Sequence, residues 1–286
     1  MGIDRERRRE PPTVRHRNAG RVRVRRAWRG PVLAVALLLA VVTGIYVLVQ
    51  NIPGAPGCTV TGGARAVSLS VEQAGNAATI AGVGAAMGMP DHAVTVALAT
   101  SLQETGLRNL PGGDRDSAGL FQQRPSQDWG TYEQVTDPVY SAGAFYRKLR
   151  TEPDWATLDV ADAAQLIQRS ADGSLYAQWE PQARTMAMAL TGQSGPALSC
   201  SDLPETTAPD DVATVAAHEL GTAVLSGPQD GVRGWEIANW LVAHAARFGL
   251  ERVTFDGWSW TAESGEWASD GAADGRLSLQ RAQAAD

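Results

Sequence analysis

The chain has 286 residues, with 25 Lys+Arg against 31 Asp+Glu for a net charge of −6, and 44% of its residues are hydrophobic. Residues 1–30 hold eleven Arg and no Lys against Asp4, Glu6 and Glu10, a net of +8, which leaves 14 cations against 28 acids in the remainder, or −14. An acidic bulk joined to a basic arm argues against a wholly cytosolic enzyme and against a nucleic-acid binder, and the hydrophobic content argues against a disordered chain.

Pro31–Gln50 reads PVLAVALLLAVVTGIYVLVQ, twenty residues without a charge. At 1.5 Å per residue a helix of that length spans about 30 Å, the thickness of a bilayer's hydrocarbon core. Arg25, Arg26 and Arg29 precede it and no Lys or Arg follows until Arg65. The positive-inside rule therefore predicts a single-pass anchor in the cell membrane, with residues 1–30 cytoplasmic and residues 51–286 outside. A cleavable signal peptide would have a shorter apolar run. Lipidation at Cys58 fits poorly, because Pro56 stands two residues before it and no Leu three before it. The basic arm then serves topology and attraction to anionic lipid rather than nucleic-acid binding.

Residues 51–68 read as linker and 69–192 as a mainly helical domain. Val71–Met87 is rich in Ala and Gly, which suits close helix packing. Pro90-Asp91 opens a second helix with Val94, Leu98 and Leu102 as its buried stripe, and Gly106 ends it. Residues 107–136 are polar and Gly-rich, a region of loops and short strands. Asp137-Pro138 is an N-cap and N1 pair starting a helix with Val139, Ala142, Tyr146 and Leu149 on one face. Further helices are expected near 160–171 and 181–191. Residues 193–211 read as a second linker. Residues 212–286 read as a separate small α/β domain: a helix at 232–248, a hairpin in ERVTFDGWSWTA and GEWASDG, and a last strand at RLSLQ. The predicted fold class is thus mainly α, with a small β/loop region, an α/β C-terminal domain and an N-terminal transmembrane helix.

Cys58 and Cys200 are the two cysteines. An extracytoplasmic compartment permits a disulfide between them; the other reading is two unpaired thiols. His16, His92, His218 and His244 are scattered without ligand spacing, so neither a metal site nor a cofactor is expected. Five of the nine Trp lie between 235 and 267. They can stack on sugar rings, but the helix stripe around Trp235 and the strand positions of Trp258 and Trp260 favour core packing.

Glu104 lies two residues before the Gly that ends its helix, off the apolar stripe and above the small residues Ala97, Thr100 and Ser101. A carboxylate so placed, beside a Gly-rich loop, can open onto a cleft. The segments Glu104-Thr105-Gly106, then Ser117-Ala118-Gly119-Leu120-Phe121-Gln122, then Asp137-Pro138 through Ser141-Ala142-Gly143-Ala144 and Tyr146 together resemble the soluble lytic transglycosylases and the related goose-type lysozymes. The resemblance covers about residues 70–190. It implies a lysozyme-like fold acting on peptidoglycan, with Glu104 as acid and base between N-acetylmuramic acid and N-acetylglucosamine. Glu104 would protonate the glycosidic oxygen, then take the proton of the muramyl C6 hydroxyl as a 1,6-anhydro ring closes. The resemblance also implies that Ser117 and Gln122 contact substrate and that Tyr176 matches a tyrosine facing the Glu, although the usual Tyr-Asn-Ala-Gly is absent. Thr105 stands for the usual Ser and Phe121 for the usual Met. A hydrolase would need a second carboxylate to activate water. Asp114, Asp116 and Asp128 are candidates, Asp116 foremost, with capping of the turn as its other reading.

Residues 212–286 resemble a domain at the ends of actinobacterial membrane-anchored proteins, from which no function carries over and whose protein partner is unknown. The single Lys, Lys148, fits a high-GC genome. The alternative to an enzyme is a non-catalytic wall-associated or secretion-scaffold protein. An acidic exterior facing a polyanionic wall leads to the expectation that salt affects turnover little.

Overall fold

The structure, a computed structural model, describes residues 41–42, 54–169, 172–206 and 209–282. The basic arm and the segment 31–50, expected from its sequence to cross a membrane, lie outside the described residues, apart from the helical pair Val41 and Val42. No helix among the described residues is long and apolar enough to cross a membrane. Residues 54–286 form one compact unit, a broad mixture of helices and small antiparallel sheets.

That unit begins with strands where a linker is expected. β1 (Gly57–Val60) pairs with β2 (Val67–Leu69), and the next residue, Ser70, caps α1 (Val71–Ala86). The cap is reciprocal: the Gln73 N–H donates to Ser70 Oγ (3.2 Å) and the Ser70 N–H to Gln73 Oε1 (2.8 Å). α2 (Asp91–Thr105) follows, and Gly106 closes it in the left-handed conformation at φ 62°. Every residue from Ala93 to Leu102 is buried. The expected stripe of Val94, Leu98 and Leu102 is therefore only one side of a helix enclosed all round, packed against α1 and three later helices.

The loop region 107–136 holds two isolated antiparallel bridges (Leu110 with Gly119, Ala118 with Gln123), a 3₁₀ turn at Pro125–Gln127 and a short α3 (Tyr132–Val135). α4 (Pro138–Thr151) starts as expected, Asp137 accepting the Tyr140 N–H at 2.8 Å. α5 (Val160–Gln168) ends earlier than 171, with Arg169 as its left-handed cap. A 3₁₀ segment, Gly173–Trp179, leads into α6 (Glu180–Leu190).

The second expected linker, 193–211, supplies β3 (Leu198–Ser201), which completes a sheet of order β2-β1-β3 with Cys58 opposite Cys200. The two cysteines are disulfide-bonded. Beyond them come α7 (Val212–Glu219), β4 (Gly227–Pro228), α8 (Gly231–Ala243), α9 (Ala245–Phe248), β5 (Leu250–Phe255), β6 (Trp258–Thr261), β7 (Trp267–Ser269) and β8 (Arg276–Arg281). The five strands form one antiparallel sheet of order β4-β8-β5-β6-β7.

This last segment is not a free-standing domain. Asn239 of α8 is fully buried, accepts the Leu198 N–H (3.2 Å) and donates to the carbonyls of Ala189 (2.9 Å) and Gly195 (2.8 Å). At Gly192 (φ 74°) a Cβ would overlap the Val232 carbonyl oxygen, so the ends of α6 and α8 meet through bare backbone. The buried carboxylate of Glu219 in α7 accepts from Thr79 Oγ1 in α1 (2.9 Å), Trp240 Nε1 (2.9 Å) and Arg247 Nη1 (3.1 Å), with His244 Nε2 at 3.2 Å. Trp240 and Trp260 are buried, and Trp235 and Trp267 pack edge-to-face (5.5 Å), but Trp258 is 38% exposed, against the core role expected of it.

Candidate active site

Glu104 stands half-buried in the last turn of α2, and three sets of contacts fix that turn. From α1, the side-chain amides of Gln73 and Asn76 donate to the carbonyls of Gly106 (2.9 Å) and Leu107 (2.8 Å). From the facing turn, the Leu120 carbonyl accepts from Ser101 Oγ (3.1 Å) and Thr105 Oγ1 (3.0 Å). Thr105 thus uses the hydroxyl it shares with serine to tie the helix end to the Gly119–Gln122 turn. From the 3₁₀ segment, Trp179 Nε1 donates to Gln103 Oε1 at 2.8 Å. A carboxylate on a turn braced from three sides has little freedom to swing.

The Tyr176 hydroxyl donates to Glu104 Oε1 at 2.8 Å, and the ring is buried. The structure therefore brings together two residues 72 positions apart. Asp172 holds the start of the 3₁₀ segment by accepting the Ser174 N–H at 3.0 Å.

The Gly119–Gln122 turn forms one wall. Gly119 adopts φ 80°, and a Cβ there would overlap the Val135 carbonyl oxygen, so no other residue fits. Gln122 Oε1 accepts from Ser117 Oγ (2.9 Å), while Ser117 Oγ also lies 2.8 Å from the Asp114 carbonyl. Ser117 is buried behind Gln122 and does not line the cleft: it positions the amide rather than presenting itself to a ligand. Gln168 Nε2 donates to the Phe121 carbonyl at 2.9 Å and links the turn to α5.

Glu104 and Gln122 open onto a cleft of about 980 Å³. Trp129 and Tyr140 supply aromatic faces to it, and Ile167 an apolar one. None of these three stood out in the sequence. Trp129 is an isolated aromatic in a loop, Tyr140 is off the buried face of α4, and Ile167 reads as ordinary core.

The candidate second carboxylate moves. Asp116 accepts from Arg124 Nε (2.8 Å) and from the Ser126 N–H (2.8 Å), and the Arg124 bond, followed by those of Ser126, holds its carboxyl far below the usual carboxylate range. These contacts make it a brace across the loop rather than a cap of the Ser117–Gln122 turn, and it does not line the cleft. Asp114 is exposed beside Arg115. Asp128, in the left-handed cap after the 3₁₀ turn Pro125–Gln127, is the loop acid that lines the cleft with Glu104.

Among the described residues no group of three or more His, Cys, Asp or Glu is placed to hold a metal ion. A comparison with protein-family models and with curated proteins finds no match. The three ordered motifs and the geometry of the cleft are thus what bears on function.

Proposed function

We propose that this chain cleaves the glycan strands of peptidoglycan between N-acetylmuramic acid and N-acetylglucosamine, as a membrane-anchored enzyme of the lytic transglycosylase type. The observation that carries the reading is the Tyr176–Glu104 hydrogen bond at the end of α2, on the wall of a cleft furnished with Trp129 and Tyr140. Aromatic faces stack on sugar rings, and a cleft of that volume holds several of them.

Glu104 protonates the glycosidic oxygen as the C1–O bond breaks and charge develops on the muramyl ring. The resulting carboxylate accepts the C6 hydroxyl proton while that oxygen bonds to C1, which closes the 1,6-anhydro ring and regenerates the acid. Tyr176 holds the carboxyl group in register through both transfers, and Gln122 fixes the sugar beside it. The disulfide supports an extracytoplasmic location for residues 54–286, with residues 31–50 in the lipid bilayer and the N-terminus cytoplasmic.

The presence of Asp128 on the same cleft favours a second reading, a lysozyme-type hydrolase in which that carboxylate activates water. Incubation of purified sacculi with the wild type, Glu104→Gln and Asp128→Asn tests both. The proposal predicts muropeptide release by the wild type and by Asp128→Asn, and none by a folded Glu104→Gln. Release by Glu104→Gln at the wild-type rate, or none by the wild type, contradicts it and leaves the scaffold alternative.

A further inference from the structure

The exterior as a whole is acidic, yet the wall of the Glu104 cleft is not. Arg124, Arg147, Lys148 and Arg169 line it against two acids, Glu104 and Asp128. Two of the cations are already matched, Arg124 by Asp116 (2.8 Å) and Lys148 by Glu152 (3.6 Å). Arg147 and Arg169 are exposed, and neither has an ion-pair partner among the described residues. The Arg147 guanidinium lies over the Tyr140 ring, 5.4 Å from its centroid, which orients it beside the aromatic that lines the cleft. Arg169 projects from the cap of α5, next to the Gln168 that holds the Phe121 carbonyl.

We propose that Arg147 and Arg169 bind carboxylate groups carried by the glycan strand and make the cleft selective for acidic over neutral strands. The proposal rests on the reading of the cleft as a glycan-cleaving site and names the substrate chemistry it selects. A guanidinium matches a carboxylate with two parallel hydrogen bonds, and an unmatched pair of them in a cleft offers nothing of that kind to a neutral chitin-like polymer. The net charge of −14 outside the basic arm gives a polyanion no attraction to the exterior as a whole, so the two arginines supply a local attraction at the cleft. Such a strand carries carboxylates from two sources, the peptide stems and the lactyl groups of muramyl residues whose stem has been removed, since an attached stem holds the lactyl carboxyl as an amide. The expectation from net charge that salt has little effect is thereby reversed: salt screens these contacts and weakens binding.

The test uses the full chain in detergent, with Glu104→Gln as background to prevent turnover. Three fluorescent probes are titrated at low and high NaCl: peptide-bearing strands, strands stripped of peptide by an amidase, and a neutral N-acetylglucosamine oligomer. Arg147→Ala with Arg169→Ala is expected to raise Kd for the acidic strands about tenfold and to remove most of the salt dependence, with the neutral oligomer unaffected. Arg147→Lys with Arg169→Lys should recover part of the loss, and melting curves exclude misfolding. A loss confined to peptide-bearing strands assigns the contact to the stems, one confined to stripped strands assigns it to the free lactyl groups, and an equal loss on both shows a site that takes either carboxylate. Unchanged Kd and salt dependence for both acidic strands overturns the proposal. Wild-type cleavage measured in parallel separates the failures: cleavage with unchanged variant binding sinks this inference alone, whereas neither binding nor cleavage sinks the glycan reading itself.

Discussion

Replacing Cys58 and Cys200 together by Ala removes a bond that closes a loop across 142 positions. On the chain-entropy relation such a closure stabilises the fold by about 5 kcal/mol, acting on the unfolded chain. Both cysteines are buried and face each other in the β1–β3 ladder, so the native hydrogen bonds survive the substitution and the whole loss falls on stability. For a unit of this size, 1 kcal/mol moves Tm by about 2–4 °C, which sets the expected fall at about 10–20 °C. The loss also reaches the site by a defined route, since β2 runs directly into the Ser70 cap of α1, and α1 holds the Gly106 and Leu107 carbonyls beside Glu104. Far-UV circular dichroism melts of the full chain in detergent, for the wild type with and without reductant and for the double variant, give the number. Muropeptide release at 25 °C should stay close to wild type, because neither cysteine lines the cleft. A Tm shift under about 3 °C would refute the reasoning, as would lost release with Tm unchanged.

Tyr176→Phe removes only the hydroxyl that donates to Glu104, so kcat should fall by about tenfold or more with KM and Tm near wild type; an unchanged kcat would show that the bond is structural. Burial tends to raise the Glu219 carboxyl, but the charge and hydrogen bond of His244, with bonds from Trp240 and Thr79, outweigh it and bring the group down to about 2 from 4.5. A depressed carboxyl stabilises above its unfolded value and loses that contribution as pH falls through the folded one, so about 3 kcal/mol should vanish between pH 4.5 and about 2. Thermal melts across that window should show the loss in the wild type and a much flatter profile in Glu219→Gln, and parallel profiles would sink the assignment. Gly119→Ala places a Cβ against the Val135 carbonyl in a left-handed backbone and should cost about 2 kcal/mol or more, read as a lower denaturant midpoint.

Local chemistry was legible wherever one residue or dipeptide decides the backbone. The Gly106 cap, the Asp137-Pro138 start and the helices around 71–86, 91–105, 138–151 and 180–190 all follow from such signals. The strands β1, β2 and β3 did not, because the alternation in stretches such as GCTV and LSCS is only four residues long, too short to mark a strand, and its partners lie up to 144 positions away. The separate C-terminal domain failed for a related reason. The stripe Trp235, Ala238, Leu241 was visible, but Ile237, Asn239 and Trp240 are buried as well, and that second face packs on the helical part. Within the cleft, the last-turn position of Glu104 follows from the helix end at Gly106, whereas its candidacy as an acid rests on the resemblance of three ordered segments. Tyr176 lies on a 3₁₀ segment without a periodic pattern, and its place opposite Glu104 is a tertiary fact. Asp116 led Asp128 on paper, and what separates them is tertiary: Arg124 and the Ser126 N–H reach Asp116, while Asp128 lines the cleft. Net charge carries no position, so a sum of −14 does not tell that Arg147 and Arg169 line the Glu104 cleft.

The mass of the muropeptides released from purified sacculi tests the central claim most directly. An enzyme with Glu104 as its one acting carboxyl group yields 1,6-anhydro products, one water lighter than those of hydrolysis, and their appearance depends on Glu104 but not on Asp128. Reducing-end products that disappear in Asp128→Asn, or no released muropeptides at all, would contradict the account.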